Sequence, residues 1–267
     1  MNVTAIIQAR VGSTRLPGKV LLKIMGKTIL EYGLERVKKA KMIDKVIVAT
    51  TQKKEDFSIV NLMHKLKVNV YRGPEDDVLD RYYQAAKIFK AEHIARITSD
   101  NPLIDPQIID KIVKRYFEFG ADYCSNTLEE TFPDGEDVEV FKFSALREAW
   151  KKAKLPSERE HVTPYLKKHP EKFKLVNVKN KKNLSDKRWT VDEKKDFELI
   201  KAILKALYPK NPSFAMKDVL KFLKTNPRLE DLNKHITRNA GYLRSLRKDQ
   251  KIKSSWRKNN GEITRFI

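Results

Sequence analysis

The chain has 267 residues, 40% of them apolar and 34% charged, which suits one large α/β domain or one domain with a small appendage and excludes a disordered chain. No stretch approaches the ~20 apolar residues that span a bilayer, and the opening Met1-Asn2-Val3-Thr4 lacks the charged flank of a secretory leader. The net charge is +21 and the one cysteine is Cys124, so a disulfide framework and a Cys-based zinc site are excluded and a cytoplasmic protein is the simplest expectation.

Val3–Ile7 is a short apolar run, as expected for a buried parallel strand. A Gly/Pro loop follows. From about Thr28 to Ala40 apolar residues recur at helical spacing, and Thr28 with Glu31 has the spacing of a capping box. Lys45–Thr50 reads as the second strand, Glu55–Leu66 as a helix and Val68–Tyr71 as a third strand. After the turn Arg72–Asp76, Asp77–Lys90 reads as a helix, His93–Thr98 as a fourth strand and Pro106–Phe119 as a helix. Strand and helix in alternation predict βαβ units and a mostly parallel, Rossmann-like sheet with helices on both faces. Ligands of such sheets bind beyond the carboxyl ends of the strands. There the loop Arg10–Lys19, the turn Arg72–Asp77 and Ser99-Asp100-Asn101-Pro102 would meet at one rim.

The second half is less regular. Asp137–Phe141 alternates like a strand with one wet face, which would turn Asp137 and Glu139 to the same side. Phe143–Lys154 and Glu158–Lys168 read as helices, Phe173–Val178 and Arg188–Val191 as strands, and Asp192 opens a helix to about Leu207. From about Asn211 short helices are expected, ending in a basic tail that holds Arg244, Arg247, Lys248, Lys251, Lys253, Arg257, Lys258 and Arg265. Basic residues elsewhere are spread over the whole chain. A nucleic-acid footprint clusters on one face with interleaved aromatics; no such stripe stands outside the tail, so a Lys-rich solvated surface is the expected reading and nucleic acid a poor fit.

The loop Gln8–Leu21 carries the strongest chemistry. It reads Gln-Ala-Arg-Val-Gly-Ser-Thr-Arg-Leu-Pro-Gly-Lys-Val-Leu: two glycines that let backbone N–H groups approach a phosphate, and Arg10, Arg15 and Lys19 to neutralise it. It is not a Walker loop, because five residues separate its glycines and Val20, not a hydroxyl, follows Lys19. Asp100 and Asp192 each stand at a predicted strand end and are candidate Mg²⁺ ligands or helix caps.

This loop resembles that of the cytidylyltransferases that activate sugar acids with CTP, the acylneuraminate and 3-deoxy-manno-octulosonate enzymes. Further segments resemble the branch named after the spore coat polysaccharide biosynthesis protein SpsF: Arg72–Tyr82, Asp100–Pro106, Asp134–Phe141, Arg159–Tyr165, Thr190–Phe197 and Asn239–Tyr242. The resemblance implies a nucleotidyltransferase (glycosyltransferase-A-like) α/β fold over residues 1–210. A small inserted β and dimerisation region would lie at about 130–190, and a helical extension at 211–267. It implies Arg10, Arg15 and Lys19 on the triphosphate with Gly12 and Ser13 as donors, Ala9 beside the base, and Gly73 and Asp77 toward base and ribose. Asp100 and Asp192 would hold Mg²⁺, while Asp196 is either a helix residue or a group behind them. Glu136, Asp137, Glu139, Arg159, Glu160 and His161 would face the acceptor. Ser99 stands where relatives often have Gly, and Glu136 where they often have an apolar residue. The implied reaction is attack of an acceptor oxygen on the α-phosphorus of CTP, making a CMP-sugar for surface polysaccharide, in a homodimer. Two alternatives compete: a nucleotide-sugar glycosyltransferase, which an Asp-x-Asp pair would support and which lacks one after the candidate strands, and a non-catalytic nucleic-acid-binding protein using the basic tail.

Overall fold

The computed structural model describes residues 2–263, with side chains as far as residue 255. The alternating half forms as its periodicity predicts. β1 (Val3–Gln8) leads through a 3-10 turn and the ribbon β2 (Lys23–Ile24) and β3 (Lys27–Thr28) into α1 (Ile29–Val37). β4 (Lys45–Thr51), α2 (Phe57–Lys65), β5 (Asn69–Gly73), α3 (Val78–Ile88), β6 (His93–Thr98) and α4 (Pro106–Glu118) follow. Caps set the helix starts. The Thr28 hydroxyl accepts the Glu31 N–H at 3.2 Å while the Glu31 carboxylate accepts the Thr28 N–H at 2.6 Å, a reciprocal cap that contributes about 1 kcal/mol. Asp77 and Asp105 cap α3 and α4 one-sidedly, their carboxylates accepting the N–H groups of Asp80 and Gln107 at 2.9 Å.

The second half adds β7 (Tyr123–Ser125), β8 (Glu139–Lys142), α5 (Phe143–Lys152), α6 (Pro156–His161), α7 (Pro164–Lys168), β9 (Leu175–Asn177), α8 (Lys194–Leu207), α9 (Met216–Lys224), α10 (Pro227–Glu230) and α11 (Ala240–Ile263). The sheet runs β5-β4-β1-β6-β8-β7-β9, and β8 alone lies antiparallel to its neighbours. The fold is therefore the expected α/β class with a seven-stranded, mostly parallel sheet. The region at 130–190 supplies β8 and β9 to this same sheet.

Both faces of the sheet are covered. Val3, Ala5 and Ile7 pack with Leu30, Leu34 and Val37 of α1 and Ile109, Ile112 and Val113 of α4. Ile6 and Ile94 face Leu79, Tyr82 and Ala86 of α3 and Leu146 and Ala149 of α5. A third cluster joins Ile29 and Tyr32 to Trp189, Leu199 and Ile203, and to Phe214 and Val219 from beyond residue 210. Burial of such apolar area, at roughly 25 cal/mol per Å², ties the later helices to the sheet domain.

Four expectations are corrected. Arg188–Val191 is not a strand; it makes one bridge, between Arg188 and Asp134, and its extended backbone spends its amides on loop carbonyls, Trp189 N–H on Asp134 at 2.6 Å and Val191 N–H on Asp100 at 2.9 Å. The helix expected over 158–168 is two, because Val162 turns to φ 71° and Pro164 cannot continue α6. β8 has no wet face, since Glu139, Val140 and Phe141 are all buried. β7, too short for a periodicity signal, was absent from the expected elements. Among the described residues no helix is long and apolar enough to cross a membrane. The tail side chains of Arg257, Lys258 and Arg265 lie outside the described residues.

Candidate active site

The loop after β1 is pinned from below. The Val11 N–H donates to Asp56 Oδ1 at 2.7 Å, and Asp56 also accepts the Thr51 hydroxyl. The Val11 carbonyl accepts two amides of its own loop, Ser13 at 2.8 Å and Gly18 at 3.0 Å. Gly18 sits at φ 68°, in the left-handed region where a side chain is strained, and that turn sends Lys19 inward. Gly12 is different: a Cβ there would meet the Glu75 carboxylate at an ordinary 3.5 Å, so close packing does not require it.

Lys19 ends between the two aspartates named from sequence. Its Nζ donates to Asp100 Oδ2 at 2.6 Å and to Asp192 Oδ1 at 2.7 Å. Burial alone would lower the lysine pKa, but the two carboxylates outweigh it and raise it. Burial likewise opposes ionisation of Asp192, and Lys19, Arg15 and Arg188 overcome it, holding that carboxyl well below its usual range. Arg15 contributes a contact at 2.9 Å and Arg188 one at 2.8 Å. Arg188 is the hub behind the site: its side chain is 5% exposed and also reaches Asp134 at 2.5 Å and Asp196 at 3.0 Å. Gly135, at φ 112°, allows this approach, because a Cβ there would come within 2.7 Å of the Trp189 backbone.

A cleft of about 440 Å³ opens beyond the carboxyl ends of β1 and β6, with Arg15, Asp100, Asp192 and Arg188 at one end. A comparable hollow of about 460 Å³ near His93 and Lys142 lies at the opposite ends of the strands and has no paired carboxylates. No group of three or more His, Cys, Asp or Glu able to hold a metal occurs among the described residues. A carboxylate pair is nonetheless the donor set Mg²⁺ commonly takes alongside phosphate oxygens, and Asp100 Oδ1 is buried without a partner, so these residues fit such an ion.

The structure brings together some of the other predicted residues and separates the rest. Asp137, Glu139 and His161 line the cleft. Glu136 does not: it is 0% exposed and accepts the Asp105 N–H at 2.7 Å, so its expected acceptor contact is corrected to support of the Asp100–Asp105 turn. Arg159 and Asp77 also stay outside the cleft and pair with each other at 3.0 Å, Asp77 serving as the α3 cap. Glu160 accepts the Ser245 hydroxyl at 2.6 Å. Arg10, 44% exposed, turns away to Glu75 at 3.1 Å. Ala9 is buried, its N–H on Ala49, and Gly73 packs where a Cβ would crowd the Tyr71 ring at 2.9 Å.

This geometry, a basic loop facing two distant aspartates, fits what the chain is similar to. A model of the cytidylyltransferase family matches residues 4–224. The chain belongs to that family. The spore coat polysaccharide biosynthesis protein SpsF of Bacillus subtilis is 33% identical over 236 residues, which are 85% of this chain and 95% of that protein. The structure of a cytidylyltransferase from Leptospira borgpetersenii superposes with a TM-score of 0.83 at 36% identity, covering 89% of this chain and 100% of that one. A CMP:2-keto-3-deoxy-manno-octonic acid synthetase complexed with CTP shares the fold, with a TM-score of 0.59 at 15% identity over 77% of this chain and 99% of that one.

In this cytidylyltransferase, sequence reading missed Arg96, Lys167, Arg188 and Arg238. Arg96 carried a signal, a charge inside an otherwise apolar strand. So did Arg188, four residues before Asp192 and beside a buried tryptophan. Lys167 and Arg238 stand among many lysines and arginines and carried none. Arg238 reaches Asp137 at 2.8 Å.

His161 gives the site a pH signature in stability. Its Nε2 meets the Ser245 hydroxyl at 3.1 Å, its ring packs edge-on to Tyr242, and burial lowers its pKa from 6.5 to about 4, with Glu160 and Glu139 opposing and Arg96 and Lys167 assisting. The folded state keeps the ring neutral where the unfolded chain is protonated, so stability is full above 6.5 and falls as pH drops toward about 4. Urea unfolding from about pH 7.5 to about pH 5 should show a loss of up to ~1.4 kcal/mol per pH unit that His161→Gln flattens. An identical pH slope in that variant would assign the loss to other groups.

Proposed function

We propose that this protein transfers CMP from CTP to a hydroxyl of a sugar acid or related sugar and releases pyrophosphate, in the biosynthesis of a surface polysaccharide. The observation that carries it is the convergence of Lys19 and Arg15 with Asp100 and Asp192 at the carboxyl edge of the sheet, where such folds bind ligands. The kinship with SpsF and the CTP complex of the synthetase that shares the fold support the nucleotide and the acceptor class. In the proposed step the acceptor hydroxyl gives up its proton to solvent, its oxygen bonds to the α-phosphorus of CTP, and the bond from that phosphorus to the α,β-bridging oxygen breaks to release pyrophosphate. Arg15 and Lys19 bind and align the triphosphate and stabilise the charge that develops on pyrophosphate; Arg10, held by Glu75, would first have to leave that partner to join them. Asp100 and Asp192 would hold Mg²⁺, which would supply neutralisation of phosphate charge and a lowered pKa of the acceptor hydroxyl. Ser13 offers a hydroxyl donor beside the loop.

Incubation with each of the four nucleoside triphosphates, Mg²⁺ and a panel of sugar acids, followed by pyrophosphate assay, tests the proposal. Release is expected with CTP and at least one acid. No release with any acceptor, together with no thermal protection by CTP, would falsify it.

A further inference from the structure

Leu223 is the last fully buried apolar side chain among the described residues. Beyond it, among those residues, Asn233, Ser245 and Asp249 are buried, and all three are polar. Ile236, Tyr242, Leu246 and Ile252 join none of the three core clusters. Polar contacts hold this part of the chain instead. Before α11, Asn233 donates to the Arg188 carbonyl at 2.9 Å and to Asp196 at 2.8 Å, and Arg238 donates to the Phe132 carbonyl at 3.1 Å and to Asp137 at 2.8 Å. Within α11, the Ser245 hydroxyl donates to Glu160 at 2.6 Å and meets the His161 ring. Asp249 accepts the Ser157 N–H at 2.9 Å and the Ser157 hydroxyl at 2.5 Å. Leu155, at the start of α6, has no side-chain oxygen to cap that helix, so α6 takes its cap from α11.

The two sets of ties flank the cleft. Between them Asn239, Ala240, Gly241 and Tyr242 form part of its wall. Asn239 stands at φ 58°, a left-handed conformation that asparagine tolerates better than most residues, at the joint where the turns after α10 become α11. A segment with few buried apolar contacts opens at a small fraction of the cost of global unfolding. A hydrogen bond within the protein replaces one to water and nets little. α11 can therefore leave α6 without uncovering any core, and Glu160, Asp249 and Ser157 then find water.

We propose that α11 is a strap hinged at Asn239, which swings off α6 while the sheet domain stays folded, and that the cleft exchanges its contents through this opening. Asn233 and Arg238 anchor the near end; Ser245 and Asp249 are the latch. The opening follows from the contacts alone. The exchange rests on the cleft being the substrate site, as the proposed function has it.

The first test is amide hydrogen exchange of the full-length protein, read by mass spectrometry. Once undocked, a single helix protects its amides little. The amides of residues 244–252 should exchange about tenfold or more faster than those of β1 and β4, and about tenfold or more slower than an unstructured peptide. Asp249→Ala favours helix but removes the latch, so it should speed α11 further and leave β1 and β4 unchanged. Exchange of α11 in step with β1 and β4, exchange at the peptide rate, or unchanged α11 exchange in Asp249→Ala each overturns the strap. The second test latches it. Ser157→Cys with Asp249→Cys is bridged by a short bis-methanethiosulfonate reagent that reductant cleaves; the native thiol, Cys124, is buried. The bridged protein should release pyrophosphate at about a tenth of the rate of the same protein after reduction, or less. Equal rates before and after reduction overturn the exchange route. A protein whose α11 opens as described but that releases no pyrophosphate in either state keeps the strap and removes the transferase reading. Release of pyrophosphate with α11 exchanging in step with β1 does the reverse.

Discussion

Asp100→Ala and Asp192→Ala are each expected to abolish pyrophosphate release, by on the order of 10³-fold or more, in a protein that still folds. Each removes one of the two carboxylates that converge on Lys19. Removing either would leave the proposed Mg²⁺ one protein ligand short and leaves the lysine with a single carboxylate partner. Both aspartates sit at the cleft rim with 20% and 23% side-chain exposure, so water can take up the lost contacts and the core is not opened. Circular dichroism and a cooperative thermal transition close to wild type should accompany the loss. Retention of more than about a tenth of the activity by either variant would show that its carboxylate is not needed at the reacting phosphate, and the metal assignment would move elsewhere.

Arg188→Met should show the opposite signature, a large loss of stability. The guanidinium compensates Asp134, Asp192 and Asp196 at once, and Asp196 is 0% exposed. Burial works against the Arg188 charge, and the hydrogen bonds to Asp196 and the surrounding carboxylates more than restore it, raising its pKa. With the arginine gone, Asp196 keeps the Asn233 amide at 2.8 Å and the N–H groups of Asp192 and Glu193 but no positive partner. Breaking a buried ion network in this way costs about 3–5 kcal/mol. In a domain of this size that is a fall of ~10 °C in Tm, measurable by thermal unfolding. Arg188→Met combined with Asp134→Asn should regain part of it, because one uncompensated carboxylate is removed and the two positions are coupled. A Tm within 2–3 °C of wild type, on the scale of about one kcal/mol, would mean that the cluster relaxes or takes up protons at little cost.

The parallel half of the fold was legible because β1 and β4 are largely buried apolar runs and α1, α3 and α4 each show an apolar stripe behind a capping side chain, as at Thr28–Glu31. β7 and the segment 188–191 were not, because three residues give no period and an extended loop pairs as a strand does in composition but not in register. The candidate loop Gln8–Leu21 and the two aspartates it meets stood out in the sequence for a different reason: glycines beside several cations, and carboxylates at strand ends, are unusual in any local setting. Glu136, Arg159 and Asp77 misled the reading because a polar cluster in sequence can be satisfied internally, as the Asp105 amide and the Arg159–Asp77 pair show. Arg96 was passed over because a charge in an apolar strand declares burial but not its partner, and Glu139 lies 43 residues away.

The bridge from Lys19 to Asp192 spans 173 residues of chain, and that separation has a consequence for how the protein comes into being. A chain leaving the ribosome exposes the Arg10–Lys19 loop and the whole β1-to-β6 half long before Asp192 or Arg188 exists to meet it. Closing so long a loop carries an entropic cost that grows slowly with length and is repaid only when the last partner docks. The sheet can therefore form early while the cationic loop remains without its carboxylates. Competence for the proposed chemistry arrives in a late step, with the docking of the segment 188–196 against Asp100 and Asp134.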